Sequence, residues 1–251
     1  MQTIYNPKGQ AGEFGEWAAN PYKGCGNACA YCYVPNIRFL KMSRTQFDDG
    51  AILKEGWIDA FRKKAFAMQR AGQSVNIFFT FMSDMYHPFD TTPTREILRI
   101  TKEAGHSFTI LTKGGSRALR DIDLYTKRDH YAATLTSLDA AVSKKWERGA
   151  ALPMDRIETL EKFHNAGIFT WASLEPVLNA DSSIAVIERT HEFVDFYKLG
   201  RMNYVDVKVN WEEYTARLVE LVDRLKIKAY FKKDLQPYLP DGYPNAPLRP
   251  S

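Results

Sequence analysis

The sequence predicts an α/β protein built on a parallel sheet of six strand–helix units. Short apolar, β-rich runs occur at residues 17–22, 75–81, 108–111, 131–136, 169–174 and 194–199. Most are apolar throughout, as expected for strands covered on both faces. Longer segments between them carry apolar residues every three or four positions, the mark of one-sided helices. Alternation of that kind favours parallel pairing through helical crossovers. On pattern alone the sheet is either a partial barrel or an open α/β sheet, because six units are too few for a closed eight-stranded barrel.

The individual elements have their own signals. Leu53, Trp57, Phe61, Ala65 and Met68 form one apolar stripe, and Gly72 suits its C-terminal end. Thr92-Pro93 reads as an N-cap followed by a first-turn proline, with Gly105 as the stop. Residues 154–166 put Ile157, Leu160 and Phe163 on one side, closed by Gly167. Asp181 or Ser182 caps a helix running to His191. The run Trp211–Leu225 carries Tyr214, Leu218, Leu221, Val222 and Leu225. Residues 229–232 read as a short extra strand. Prolines at 237, 240, 244, 247 and 250 keep the tail from forming a helix, so it is either extended over the body or disordered. The expected division is a core with an N-terminal lead-in over 1–226, then a C-terminal strand and proline-rich tail over 227–251.

Composition narrows the function classes. The chain has 251 residues, 45% hydrophobic and 25% charged, in the ordinary globular range. No apolar run approaches the roughly 18–20 residues that span a bilayer, so no membrane partner is expected. The first sixteen residues lack the basic-then-apolar pattern of a signal peptide. All three cysteines fall within eight residues, which points to a metal site in a reducing compartment and a cytoplasmic protein. A net charge of +4 permits a nucleic-acid partner without demanding one. The basic runs Arg62-Lys63-Lys64 and Lys144-Lys145, and the lysines at 226, 228, 232 and 233, read as solvated helix faces or as a phosphate-tracking groove.

Cys25, Cys29 and Cys32 stand in the spacing C-x3-C-x2-C. A structural zinc site usually needs four ligands, and none of His87, His106, His130, His164 and His191 adjoins the loop. Three thiolates from one loop can instead hold three corners of a [4Fe–4S] cube, leaving the fourth iron for a ligand that is not protein.

This spacing, with the aromatic Tyr31 before the third cysteine, resembles that of the radical S-adenosylmethionine (radical SAM) superfamily. The run Asn20-Pro21-Tyr22-Lys23-Gly24-Cys25 through Tyr33 resembles its spore photoproduct lyase-like branch. So does Phe81-Met82-Ser83-Asp84-Met85-Tyr86-His87-Pro88, with Ser83 where the branch has threonine. The resemblance covers about residues 17 to 226. It implies a partial (βα)6 TIM-like barrel, here with a proline-rich C-terminal extension.

It also implies a chemistry. Cys25, Cys29 and Cys32 bind the [4Fe–4S] cluster, and S-adenosylmethionine chelates the open iron. One electron, from a donor such as flavodoxin or ferredoxin, cleaves the cofactor to a 5′-deoxyadenosyl radical. That radical abstracts hydrogen from a substrate that is a nucleic acid, a peptide or a small molecule.

Barrel sites gather at the C-terminal ends of strands, which selects the remaining candidates. Asp84, with Ser83, is placed to accept the cofactor's ammonium, or reads as a turn pair. Lys113 suits the methionyl carboxylate, or reads as an exposed strand-end lysine. Thr136 and Ser137 suit the ribose or carboxylate, although Ser137 also reads as a helix cap. Glu175, held before Pro176, and Lys198 and Arg201, flanking the sixth strand, are cofactor or substrate contacts. The backbone beside Tyr31 meets adenine in the superfamily's arrangement. Tyr31 and Tyr33 match the tyrosines linked in the lyase with hydrogen return, and both are catalytic candidates. His87 reads as an acid–base group or a turn residue.

Two alternatives stand beside this reading. One is DNA photoproduct repair, although the lyase uses a further cysteine that this chain lacks. The other is a non-catalytic protein that binds zinc or an iron–sulfur cluster.

Overall fold

Seven parallel strands form one sheet in the order β1 (Trp17–Ala19), β4 (Asn76–Phe79), β5 (Ser107–Thr112), β6 (His130–Thr134), β7 (Phe169–Ser173), β8 (Phe196–Leu199) and β9 (Ala229–Phe231). The short strands β2 (Tyr22–Gly24) and β3 (Ala51–Leu53) pair antiparallel outside it. The computed structural model describes residues 2–37, 41–203 and 205–247.

The sheet curls into a half-barrel, and its strands separate two cores. Ile77 and Phe79 join the larger core on the helix-covered face, while Phe78 between them points to the other. The same alternation sets Trp171 against Ala172, Phe196 against Tyr197 and Tyr230 against Phe231. This period of two on apolar residues of both faces is why the strand segments read as continuous hydrophobic runs. Phe78, Ala132, Trp171, Phe196 and Tyr230 fill the concave side, and Phe14 from the N-terminal lead-in packs onto Phe78 and Trp171.

The convex side is covered by α2 (Trp57–Arg70), α3 (Thr92–Glu103), α5 (Pro153–Asn165), α6 (Ala180–Thr190) and α7 (Trp211–Leu225). The expected stripe of α2 is buried at Trp57, Phe61, Ala65 and Met68, but Leu53 lies in β3 instead. Caps shift by one to three residues. Thr92 opens α3 rather than capping it, and its N–H is met by Asp90 at 2.8 Å. Asn179, not Asp181 or Ser182, caps α6 by accepting from Ser182 N at 2.9 Å. The β5–β6 crossover is a 3-10 stretch, Gly115–Leu124, rather than an α-helix.

The first predicted strand is two. β1 stops at Ala19 and β2 starts at Tyr22, because Pro21 between them has no N–H for the ladder. The Asn20 side chain takes over at the break. Its Oδ1 accepts from Thr80 Oγ1 (2.5 Å) and from the N–H groups of Phe81 (2.8 Å) and Met82 (3.3 Å).

Both chain ends finish the sheet. Tyr5 exchanges two backbone hydrogen bonds with Ala18 along the outer edge of β1. The extra strand expected at 229–232 is β9, parallel to β8. The proline-rich tail lies over the body: Asn245 Oδ1 accepts from Phe231 N (2.8 Å) and its Nδ2 donates to Phe231 O (2.9 Å). No helix among the described residues is long and apolar enough to cross a membrane.

Candidate active site at the mouth of the half-barrel

A cavity of about 430 Å³ opens at the C-terminal ends of the strands. Cys25, Cys29 and Cys32 all line it. The cysteine loop follows β2 and is tied down from three directions. Phe47 O, in α1 (Arg44–Asp48), accepts from Cys25 N at 2.9 Å. Trp146 O, at the end of α4 (Ala140–Trp146), accepts from Ala30 N at 2.8 Å, and Asn27 O accepts from Gly149 N at 3.0 Å. Gly26 has φ +71°, and a Cβ there would stand 2.2 Å from Phe89 Cε2. That close approach forces glycine.

Burial pushes the Cys29 thiol up to about 12, against the pull of Lys113. Burial also raises Cys25, with Asp84 adding to it, and Cys32. Such thiols stay protonated until a metal takes the sulfur. A cube takes its thiolates on different irons. Three thiols lining one cavity fit three corners of a [4Fe–4S] cluster.

Asp84 sits behind the loop and is fully engaged. Its carboxylate accepts from Asn27 Nδ2 (2.8 Å), Tyr86 N (2.8 Å), Lys113 N (2.8 Å) and Thr112 Oγ1. Four internal donors fill the lone-pair positions of a carboxylate. Asp84 thus locks the cysteine loop to the ends of β4 and β5. Ser83 lines the cavity and donates to Gly24 O.

Tyr31 is equally committed. Its hydroxyl donates to Glu147, which pairs with Arg156 at 2.6 Å, and both ions are buried. Burial alone would raise the Glu147 carboxyl, but Arg156 and Lys113 hold it below the usual range. Arg156 also donates to Thr134 O (2.9 Å) and Ala151 O (2.7 Å). Lys113 Nζ stands 5.7 Å from the Tyr31 ring centre. Burial works to lower Lys113, but Cys29 and Glu147 outweigh it and its pKa is raised. Tyr33 lines the cavity and is 39% exposed, so of the two tyrosines it is the accessible one.

On the far wall, Glu175 pairs with Lys232 and accepts from Asn203 Nδ2 at 3.0 Å. Burial raises the Glu175 carboxyl against the opposing pull of Lys232. Arg201 lines the same wall.

Four candidates lie away from the cavity. Ser137 accepts from Asp139 N and Ser182 Oγ, each at 3.0 Å, so it serves the start of α4, and neither it nor Thr136 lines the cavity. Lys198 faces the barrel interior, donating to Glu13 O (2.6 Å) between the rings of Phe14 and Trp171. His87 is buried against Tyr22, its ring accepting from Phe89 N at 3.2 Å. Asn20, Asn27, Glu147, Arg156 and Lys232 are structural partners of the site that sequence reasoning did not assign. Arg156 had a signal: it shares the buried face of α5 with Leu160 and Phe163.

A three-cysteine loop at the mouth of a parallel half-barrel offers three thiolates to one cavity, an arrangement able to hold a metal cluster with one corner open. Residues 19–193 match the Radical SAM superfamily model, and the chain belongs to that superfamily. An uncharacterised protein of Methanocaldococcus jannaschii is 28% identical over 196 residues, covering 75% of this chain and 71% of that protein. Streptococcus suis SuiB bound to S-adenosylmethionine superposes with a TM-score of 0.63 at 13% identity, covering 85% of this chain. This chain spans 49% of the length of that SuiB chain. A variant of spore photoproduct lyase gives a TM-score of 0.69 at 11% identity, covering 92% of this chain and 78% of that one. These structural likenesses show a shared fold.

Proposed function

We propose that this protein is a radical SAM enzyme that uses S-adenosylmethionine to abstract hydrogen from a substrate held against the far wall of the cavity. The observation that carries the reading is that Cys25, Cys29 and Cys32 all line the cavity at the strand ends. When bound, a reduced [4Fe–4S] cluster supplies the electron that cleaves S-adenosylmethionine to a 5′-deoxyadenosyl radical.

The chain's own residues do the positioning. Cys25, Cys29 and Cys32 hold the cluster as thiolates. Asp84 and Asn27 fix the loop that carries them. Lys113 supplies a fixed positive charge beside Tyr31, suited to the cofactor's carboxylate. Met82 and Ser83 border the same cavity, in a segment braced by Asn20. The Glu147–Arg156 pair holds Tyr31 in place, so Tyr31 acts through position. Tyr33 is the residue able to exchange hydrogen with a substrate. An electron donor such as flavodoxin or ferredoxin is the partner this chemistry requires.

The test is anaerobic reconstitution with iron and sulfide, chemical reduction, and addition of S-adenosylmethionine. A brown protein that releases 5′-deoxyadenosine supports the reading. A fully reduced cluster that leaves the cofactor intact overturns it.

A further inference from the structure

The charges along the cavity wall are mostly spent. Lys232 is matched by Glu175, and Asp84 by four donors. Lys113, also without an ion pair among the described residues, is the charge given above to the cofactor's carboxylate, which leaves Arg201. It follows β8 and lines the cavity. Its guanidinium lies 5.0 Å from the Trp211 ring centre and 5.9 Å from that of Tyr238. Nη1 donates to Tyr238 Oη at 3.3 Å. Nε is buried with no acceptor. Among the described residues, no carboxylate pairs with it.

A guanidinium on a cavity wall with no counter-ion among the described residues is set to take an anion from the cavity. Two rings hold the guanidinium plane, which leaves little side-chain freedom to lose on binding. With Nη1 taken by Tyr238 and Nε enclosed, Nη2 is the donor left without a partner among the described residues. An oxyanion meeting it would gain a charge-assisted hydrogen bond and match the guanidinium charge.

We propose that Arg201 is the anchor for an oxyanion carried by the substrate, a phosphate ester or a carboxylate, at the end of the cavity away from the cysteine loop. This rests on the reading of the cavity as a radical SAM site. The oxyanion fixes one end of the substrate, so that a carbon at a set distance from it meets the reactive centre.

The test is calorimetric titration of the full-length protein with methyl phosphate and with acetate. Each titration is run on the cluster-loaded protein saturated with S-adenosylmethionine, and again on the protein without cluster. Wild type should bind at least one of the two saturably, and the tighter one identifies the substrate's oxyanion. Arg201→Gln should weaken that binding at least tenfold, Arg201→Lys should recover part of it, and both should melt at the wild-type temperature. Affinity for S-adenosylmethionine should change less than twofold in either variant. Equal anion binding by wild type and Arg201→Gln overturns the proposal. So does saturable binding of neither anion, or a tenfold loss of S-adenosylmethionine affinity, which would assign Arg201 to the cofactor. A protein that binds the anion without cleaving the cofactor would fail the radical reading alone.

Discussion

The cysteine side of the cavity and the lining after β8 differ in how one charge is matched. On the cysteine side, the buried carboxylates are met from within. Asp84 takes four donors, Tyr31 meets Glu147, and Glu147 meets Arg156. On the far side, Glu175 is matched by Lys232, but Arg201, after β8, pairs with no carboxylate among the described residues. A wall whose groups are satisfied internally is rigid before any ligand arrives, which suits a fixed cofactor. A wall with unspent donors takes its specificity from what binds there. The comparison teaches that matched and unmatched charge can be kept apart within one cavity, one near the cysteine loop and one after β8.

The largest expected effect tests the near wall directly. Cys32→Ala should abolish cluster assembly and all cofactor cleavage, measured as iron content and 5′-deoxyadenosine. Retained cleavage would show that the loop is not the cluster site.

Next comes the buried ion pair. Arg156→Leu leaves the Glu147 charge unpartnered, and the expected loss is roughly 3–5 kcal/mol in urea unfolding. Replacing both residues by leucine should recover most of that stability while the cluster is held less well, because Tyr31 loses its partner. If iron retention returns together with stability, the pair serves the fold alone.

A smaller effect lies behind the near wall, at His87. Burial lowers its pKa to about 4, against the opposing charge of Asp84. The unfolded chain protonates this histidine near its ordinary value of about 6.5. Between those values the unfolded state binds a proton that the native state does not, so stability falls as pH drops from 6.5 towards 4. The loss should be on the order of 2 kcal/mol, and His87→Gln should flatten that part of the unfolding curve.

The smallest effect is expected at Tyr33. Tyr33→Phe should leave iron content and cofactor cleavage unchanged, and affect only steps after substrate activation. Loss of the cluster in this variant would move Tyr33 from the accessible part of the cavity into the wall.

The strands were legible because they are apolar on both faces, and the cysteine loop because its spacing is local. The position of Asp84 was readable too, just past a strand end. Its task was not, since its donors come from Asn27 and Thr112, 57 and 28 residues away. Tyr31 and Glu147 are 116 residues apart, and no periodicity connects them. Lys198 and Arg201 looked equivalent beside one strand. Strand alternation turns Lys198 into the barrel, while Arg201, two residues past the strand end, reaches the mouth. Ser137 was open to two readings, because a hydroxyl after a strand serves equally well at the start of a helix, and it accepts from Asp139 N there.

A half-barrel, unlike a closed one, has two raw margins. Here Tyr5 occupies one and Asn245 the other. Unpaired strand margins are templates for joining with further chains. Segments from before β1 and after β9 thus take up the ladder groups that would otherwise invite a further strand. Neither Tyr5 nor Asn245 is among the residues that line the cavity with the cysteines.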